Sequence, residues 1–182
     1  MHRLPTRLGI AMLLLALSVV MTVPGLASDP FVRLKLSRSP AGSMAAPFEL
    51  TTLDGKVVKS SELAGKVVLV NFWATWCGSC KEEMPSLARL QKQLDPAQFA
   101  FLTVTTDPQR QGITYFLSQL GISLPVLFDE DQEVSRTFMV RGLPTTIVIA
   151  RDGTLVGRAV GPRAWDSPEA VAVMLQVMES GQ

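Results

Sequence analysis

Cys77 and Cys80 are the only thiols in the 182-residue chain, and Gly78 and Ser79 separate them. They stand where an apolar run, Val67-Val-Leu-Val-Asn-Phe-Trp, hands over to a segment of helical periodicity. A thiol at the start of a helix meets unpaired backbone N–H groups and the positive end of the peptide dipoles. Both lower its pKa and favour the thiolate, which is the nucleophile of disulfide exchange. As a structural staple the pair would achieve little, because the loop it closes is short and the entropic gain grows with loop length. The placement therefore points to a reactive pair.

The rest of the composition removes competing chemistry. The single histidine, His2, lies in the N-terminal segment, so the remainder of the chain has none. That excludes Ser-His-Asp and Cys-His nucleophile arrangements and histidine-based zinc sites. Two cysteines are too few for a structural zinc site, and Lys81 follows Cys80, which breaks the Cys-x-x-Cys-His haem-attachment pattern. The eight methionines show no metal-binding spacing. No cofactor and no metal are expected.

At the N-terminus, Arg3 and Arg7 precede an apolar stretch over residues 8–23, then Pro24-Gly25-Leu26-Ala27. A basic start, an apolar core and small residues at the cut form the pattern of a secretory signal, with cleavage after Ala27. The alternative is a retained membrane anchor, since no charge appears between Arg7 and Asp29 and such a stretch could just cross about 30 Å of hydrocarbon. Both readings deliver the domain to the periplasm or the outer face of the cytoplasmic membrane. Membrane contact is then confined to the N-terminal segment, if it is uncleaved. Residues 28–182 carry 15 basic and 16 acidic side chains, a net charge of −1 without basic runs, which argues against a nucleic-acid partner.

Residues 28–45 mix Ser, Arg, Lys and Pro without periodicity and are expected as a linker, leaving 46–182 as one domain. Residues 48–53 and 56–59, around Asp54-Gly55, suggest a hairpin, and 60–63 one capped helical turn. Residues 66–73 suit a strand buried on both faces. Beyond Cys77, Met84, Leu87, Leu90 and Leu94 mark one helical face, with Pro85 expected to kink it. Strands follow at 99–105 and 125–128, with a helix at 112–120 between them and another at 131–139 after them. Strands at 145–150 and 154–160 are joined through Arg151-Asp152-Gly153, and a last helix spans 168–179. This order predicts an α/β fold with a mixed sheet covered on both faces.

Asn71-Phe-Trp-Ala-Thr-Trp-Cys-Gly-Ser-Cys-Lys81, Pro85 and Gly142-Leu-Pro-Thr-Thr146 resemble the thioredoxin superfamily. The preceding hairpin, the extra helix and strand within 112–128, and Glu83-Met84-Pro85 are similar to its exported TlpA/ResA/CcmG-like (DsbE-like) branch. The resemblance covers roughly residues 46 to 180. It implies a thioredoxin-like fold with an N-terminal hairpin and a central αβ insertion.

It also implies roles for individual residues. Cys77 would be the attacking nucleophile and Cys80 the resolving thiol of a redox disulfide. Glu83 would approach the site and carry protons for the thiols, against the plainer reading of a solvated acid like Glu82. Asn71 stands where many relatives carry a titrating aspartate. Leu143–Pro144 would be a cis peptide whose free backbone groups meet an extended substrate, with Leu143 facing that substrate. Trp76 would belong to the apolar surface round Cys77, Trp73 to the core, and Trp165 to packing beneath the last helix.

The implied activity is that of an exported thiol–disulfide oxidoreductase, reducing disulfides of apocytochrome c or copper-site proteins. Its electrons would come from a membrane thiol-transfer protein of the CcdA/DsbD type. Gly78-Ser79 departs from the Gly-Pro or Glu-Pro frequent among relatives, which leaves the redox potential open. A copper chaperone using both thiolates as soft ligands is the alternative from another class. A peroxiredoxin is the nearest enzyme alternative, and Ala74 stands where its motif has threonine.

Overall fold

Strand and helix alternate along the chain as the hydrophobic periods require. The structure is a computed structural model, and it describes residues 29–180. The expected export segment, 1–27, lies outside the described residues. In chain order the elements are α1 (Pro30–Leu34), β1 (Ser37–Arg38), β2 (Glu49–Thr52), β3 (Val57–Lys59), β4 (Val67–Trp73) and α2 (Gly78–Gln93). Then come β5 (Phe99–Thr105), α3 (Ile113–Gln119), β6 (Val126–Phe128), α4 (Glu133–Thr137), β7 (Thr145–Ile149), β8 (Leu155–Val160) and α5 (Pro168–Ser180).

The strands form one mixed sheet in the order β1-β8-β7-β4-β5-β6-β2-β3. β4, β5 and β6 run parallel, and β7 pairs antiparallel on the other side of β4. Central β4 is buried along its whole length. Val67, Leu69 and Trp73 face one core, shared with α1, α2, α3 and α5. Val68, Val70 and Phe72 face the other, closed by α4 and the β2 strand. Both faces are dry, which explains why β4 reads as a continuous apolar run instead of an alternating one.

Asn71 is the one polar residue in that run, and strand alternation aims it at the α2 side. The apolar stripe expected on α2 is buried at Met84, Leu87, Leu90 and Leu94. α2 continues through Pro85 without a break.

Three expectations need correction. The described part of the expected linker 28–45, residues 29–45, is not simply a linker. Asp29 caps α1 by accepting the Phe31 N–H at 2.9 Å, and Phe31, Leu34 and Leu36 are buried in the core with α5. β1 then pairs with the edge of β8, which is possible because position 157 is glycine. A Cβ there would lie 2.8 Å from the Ser37 carbonyl oxygen. The segment is too short to show periodicity in the sequence, and its burial comes from partners more than a hundred residues away.

The turn at Ser60–Leu63 is a 3₁₀ turn without a side-chain cap; the Ser60 hydroxyl instead accepts the Phe48 N–H at 3.0 Å. The helix expected over 131–139 is shorter. The buried Asp129 carboxylate accepts the N–H groups of Val134 and Ser135 at 3.1 and 2.8 Å, fixing its start. Gln132 and Met139, both at positive φ, bound it.

The role of the N-terminal segment is measurable in the full chain. Phe31→Ala should cost about 3 kcal/mol in denaturant unfolding, as expected for deleting a buried aromatic side chain. Val32→Ala, on the exposed side of α1, should stay within about 0.5 kcal/mol. Equal, small effects would show that α1 is not part of the cooperative unit.

Candidate active site

The loop leaving β4 delivers the cysteines, and a buried carboxylate holds that loop. Asp107, just beyond β5, accepts the Thr75 N–H at 2.9 Å, the Thr75 hydroxyl at 2.7 Å and the Thr105 hydroxyl at 2.6 Å. β4 and β5 are parallel neighbours whose ends coincide at Trp73 and Thr105, so Asp107 is within reach of the motif loop. Sequence reasoning missed it. The available signal was an acid directly after a strand predicted to lie beside the motif strand.

Cys77 is the N-cap residue of α2 and is disulfide-bonded to Cys80, with their Cα atoms 5.3 Å apart. The Cys80 N–H donates to Cys77 Sγ at 3.2 Å, and the Ser79 hydroxyl lies 3.6 Å from the same sulfur. Cys77 keeps 7% of its surface exposed and Cys80 none. Access from solvent is therefore through Cys77, and the helix N-terminus is directed at the sulfur that would carry negative charge after reduction.

Beside the disulfide lies an open groove of about 570 Å³, lined by Trp76, Cys77, Ser79, Gly142 and Leu143 among others. Trp76 is 71% exposed, an unusual setting for so large an apolar side chain. Trp73 is fully buried and stacks on Phe116, its ring centroid 5.4 Å away. The Leu143–Pro144 peptide is cis, and the Thr145 hydroxyl donates to the Gly142 carbonyl at 2.7 Å, bracing the turn that carries it. Cys77, Trp76 and Leu143 thus share one surface, with Pro144 next in chain.

Glu83 lies on the interior side, one helical turn beyond Cys80, and is 3% exposed. This departs from the reading as a solvated acid; the neighbouring Glu82 is the exposed one. Asn71 Nδ2 donates to its Oε1 at 2.8 Å. The Arg163 backbone N–H and the Trp165 indole N–H donate to its Oε2 at 3.0 and 3.1 Å. Burial pushes the Glu83 pKa up from 4.5 to about 7, against the hydrogen bonds from Asn71, Trp165 and Arg163, which lower it.

Trp165 therefore does more than pack, and Arg163 was not foreseen at all. The Arg163 side chain donates to the Leu34 carbonyl at 2.8 Å and the Lys35 carbonyl at 3.1 Å. The loop that binds Glu83 is thereby tied to the end of α1. Among the described residues no group of metal-ligating side chains is assembled.

A thiol pair with one member reachable from the surface and a buried carboxyl near neutral pKa behind it can exchange disulfides and move protons. The Glu83 carboxyl also makes a stability prediction. Between pH 4.5 and about 7 the folded chain holds a proton that the unfolded chain has released, so stability falls as pH rises through that window. The loss should amount to roughly 3 kcal/mol for the oxidised protein, measured by denaturant unfolding at a series of pH values. Glu83→Gln should remove this slope, and a slope unchanged in the variant would assign the titration to another group.

The redoxin family model matches residues 40–174 of the chain. Thiol-disulfide oxidoreductase ResA of Bacillus thuringiensis is 32% identical over 128 residues, covering 70% of this chain and 74% of that protein. ResA of Bacillus subtilis is 34% identical over 120 residues, covering 66% and 67%. A crystal structure of a thiol:disulfide interchange protein of the thioredoxin family from Chlorobium tepidum superposes with a TM-score of 0.67 at 29% identity, covering 77% of this chain and 99% of that one. The fold is thioredoxin-like, as the sequence resemblance implied.

Proposed function

The chain belongs to the redoxin family, in its ResA-like branch of the thioredoxin superfamily, and from that premise we propose that it is an exported disulfide reductase. Thiol–disulfide exchange is its chemistry. The direction, the substrates and the location are the proposal. In the reduced protein, Cys77 thiolate attacks one sulfur of a substrate disulfide, forming a mixed disulfide and releasing the other substrate sulfur as a thiolate. Cys80 then gives up its proton, attacks Cys77 Sγ and expels the second substrate thiolate. The protein ends as the Cys77–Cys80 disulfide, and the substrate has gained two electrons, with solvent protons completing its thiols.

Burial supports this division of roles, since Cys80 is inaccessible to a macromolecule and Cys77 is not. The observation that carries the reading is Glu83, a buried carboxyl with a pKa near neutrality one turn beyond the buried thiol. A resolving thiol away from water needs a nearby base, and a carboxylate of raised pKa is well matched to take its proton at neutral pH. The groove beside Cys77, with Trp76, Leu143 and the cis peptide before Pro144, suits an extended cysteine-bearing segment.

The proposed substrates are disulfides of apocytochrome c or of copper-site proteins. An oxidising compartment does not regenerate a dithiol, so the proposed electron source is a CcdA/DsbD-type membrane protein. Export rests on the N-terminal pattern of residues 1–27.

Expressed with its export segment, Cys80→Ala should accumulate mixed disulfides with its substrates, identifiable after non-reducing separation. Cys77→Ala should trap none. Equal trapping by both variants would overturn the assigned roles, and recovery of only cytoplasmic proteins would overturn export. In single-turnover mixing with a disulfide peptide, Glu83→Gln should slow release of the reduced peptide by about 100-fold, the lower end for a lost general base. Formation of the mixed disulfide should be affected less.

A further inference from the structure

Every partner of Glu83 is a donor. Oε2 accepts from the Arg163 N–H and the Trp165 indole, and Oε1 accepts from Asn71 Nδ2. That arrangement suits a carboxylate. A protonated carboxyl must donate, and neither a backbone N–H nor an indole N–H can accept. One acceptor is at hand. Asn71 Oδ1 is fully buried and has no hydrogen-bond partner among the described residues. The same Asn71 Nδ2 also donates to the Thr146 hydroxyl at 2.9 Å, and a hydroxyl can reverse its role.

We propose that Asn71 is a positioning residue whose side-chain amide turns over with the proton on Glu83. With Glu83 ionised, Nδ2 donates to Glu83 Oε1 and to Thr146 Oγ1. With Glu83 protonated, the proton sits on Oε1, because Oε2 is held by two donors. The amide then rotates by half a turn, and Oδ1 accepts from both the Glu83 O–H and the Thr146 O–H. Each state leaves one polar atom of the amide unpartnered, Oδ1 in the first and Nδ2 in the second. Both states make the same number of hydrogen bonds, and the amide's bias toward the ionised state is the extra strength of its bond to a charged oxygen. An aspartate at this position would instead compete with Glu83 for one proton.

Few charged groups act on this exchange. Cys80 precedes Glu83 by one turn on α2, and Asn71 and Thr146 are neutral residues facing each other across β4 and β7. From the segment after β8 come Trp165 and Arg163; the Arg163 guanidinium is directed at the carbonyls of Leu34, Lys35, Gly161 and Pro162. Thr146 stands two residues beyond Pro144, so the hydroxyl that changes role lies next to the turn bordering the groove.

This inference rests on the reading of Glu83 as a proton carrier, yet it can be tested where neither thiol titrates. Asn71 is the only asparagine in the chain, so the oxidised full-length protein made with isotopically labelled asparagine gives a single side-chain amide signal. As pH falls through about 7, both amide protons should shift upfield, with the midpoint of the Glu83 carboxyl carbon. Glu83→Gln supplies a second measurement. Its new amide oxygen must face the Arg163 and Trp165 donors, which turns its NH₂ toward Asn71. The Asn71 signal of this variant should sit at the wild-type low-pH position at every pH.

Amide protons that stay hydrogen-bonded while Glu83 titrates, or a Glu83→Gln signal at the high-pH position, would overturn the proposal. Asn71→Leu should move the Glu83 midpoint to higher pH by removing the donor to its carboxylate, and an unmoved midpoint would count against a positioning role. Failure of the trapping or release experiments would overturn the functional reading and leave the amide titration standing.

Discussion

A carboxyl group leaves water only at a cost, and Glu83 is almost entirely out of water. The structure meets that cost by converging three donors from distant parts of the chain: Asn71 on central β4, and Arg163 and Trp165 after β8. The compensation is incomplete, and the carboxyl therefore rests near pKa 7 instead of 4.5. Removing any donor would raise the pKa further, while exposing the site would return it toward the value in water. The proton on Glu83 is thus set by how the sheet, α2 and the chain after β8 pack together.

The cysteines depend on the same packing. α2 must bury Met84, Leu87 and Leu90 in the core that β4 lines, and this fixes its start just beyond the C-terminal end of β4. The N-cap position then leaves Cys77 at the surface and puts Cys80 one turn in, fully covered. Asp107 holds the intervening loop from the end of β5. Two residues of one type, three positions apart, are made chemically unequal by burial and by the helix N-terminus directed at Cys77. The N-terminal segment contributes as well, because α1 supplies carbonyl acceptors for Arg163, whose backbone N–H binds Glu83.

Much of the fold was legible. β4, α2, β5 and the closing hairpin carry sustained apolar runs or a clear helical period, and their extents match the sequence expectation closely. α1 and β1 were not legible, because seven residues give no period and their stability comes from α5 and β8. The shortened α4 had a cause outside its own span, in the Asp129 carboxylate. Trp165 and Arg163 sit some eighty residues from Glu83, and no local pattern joins them.

The sequence by itself determined the chemistry. Two cysteines at a strand-to-helix junction, in a chain whose only histidine lies in its first two residues, leave thiol–disulfide exchange as the reaction its side chains are suited to perform. Residue type and local spacing are enough for that, since helix start, strand and turn are short-range matters. The packing of distant segments was needed to show which thiol is accessible, that Glu83 is buried and not solvated, and that its carboxylate accepts from the amide of Asn71. Burial and hydrogen-bond partnership arise where distant segments meet, and a carboxyl takes its pKa from that meeting and not from its neighbours in sequence.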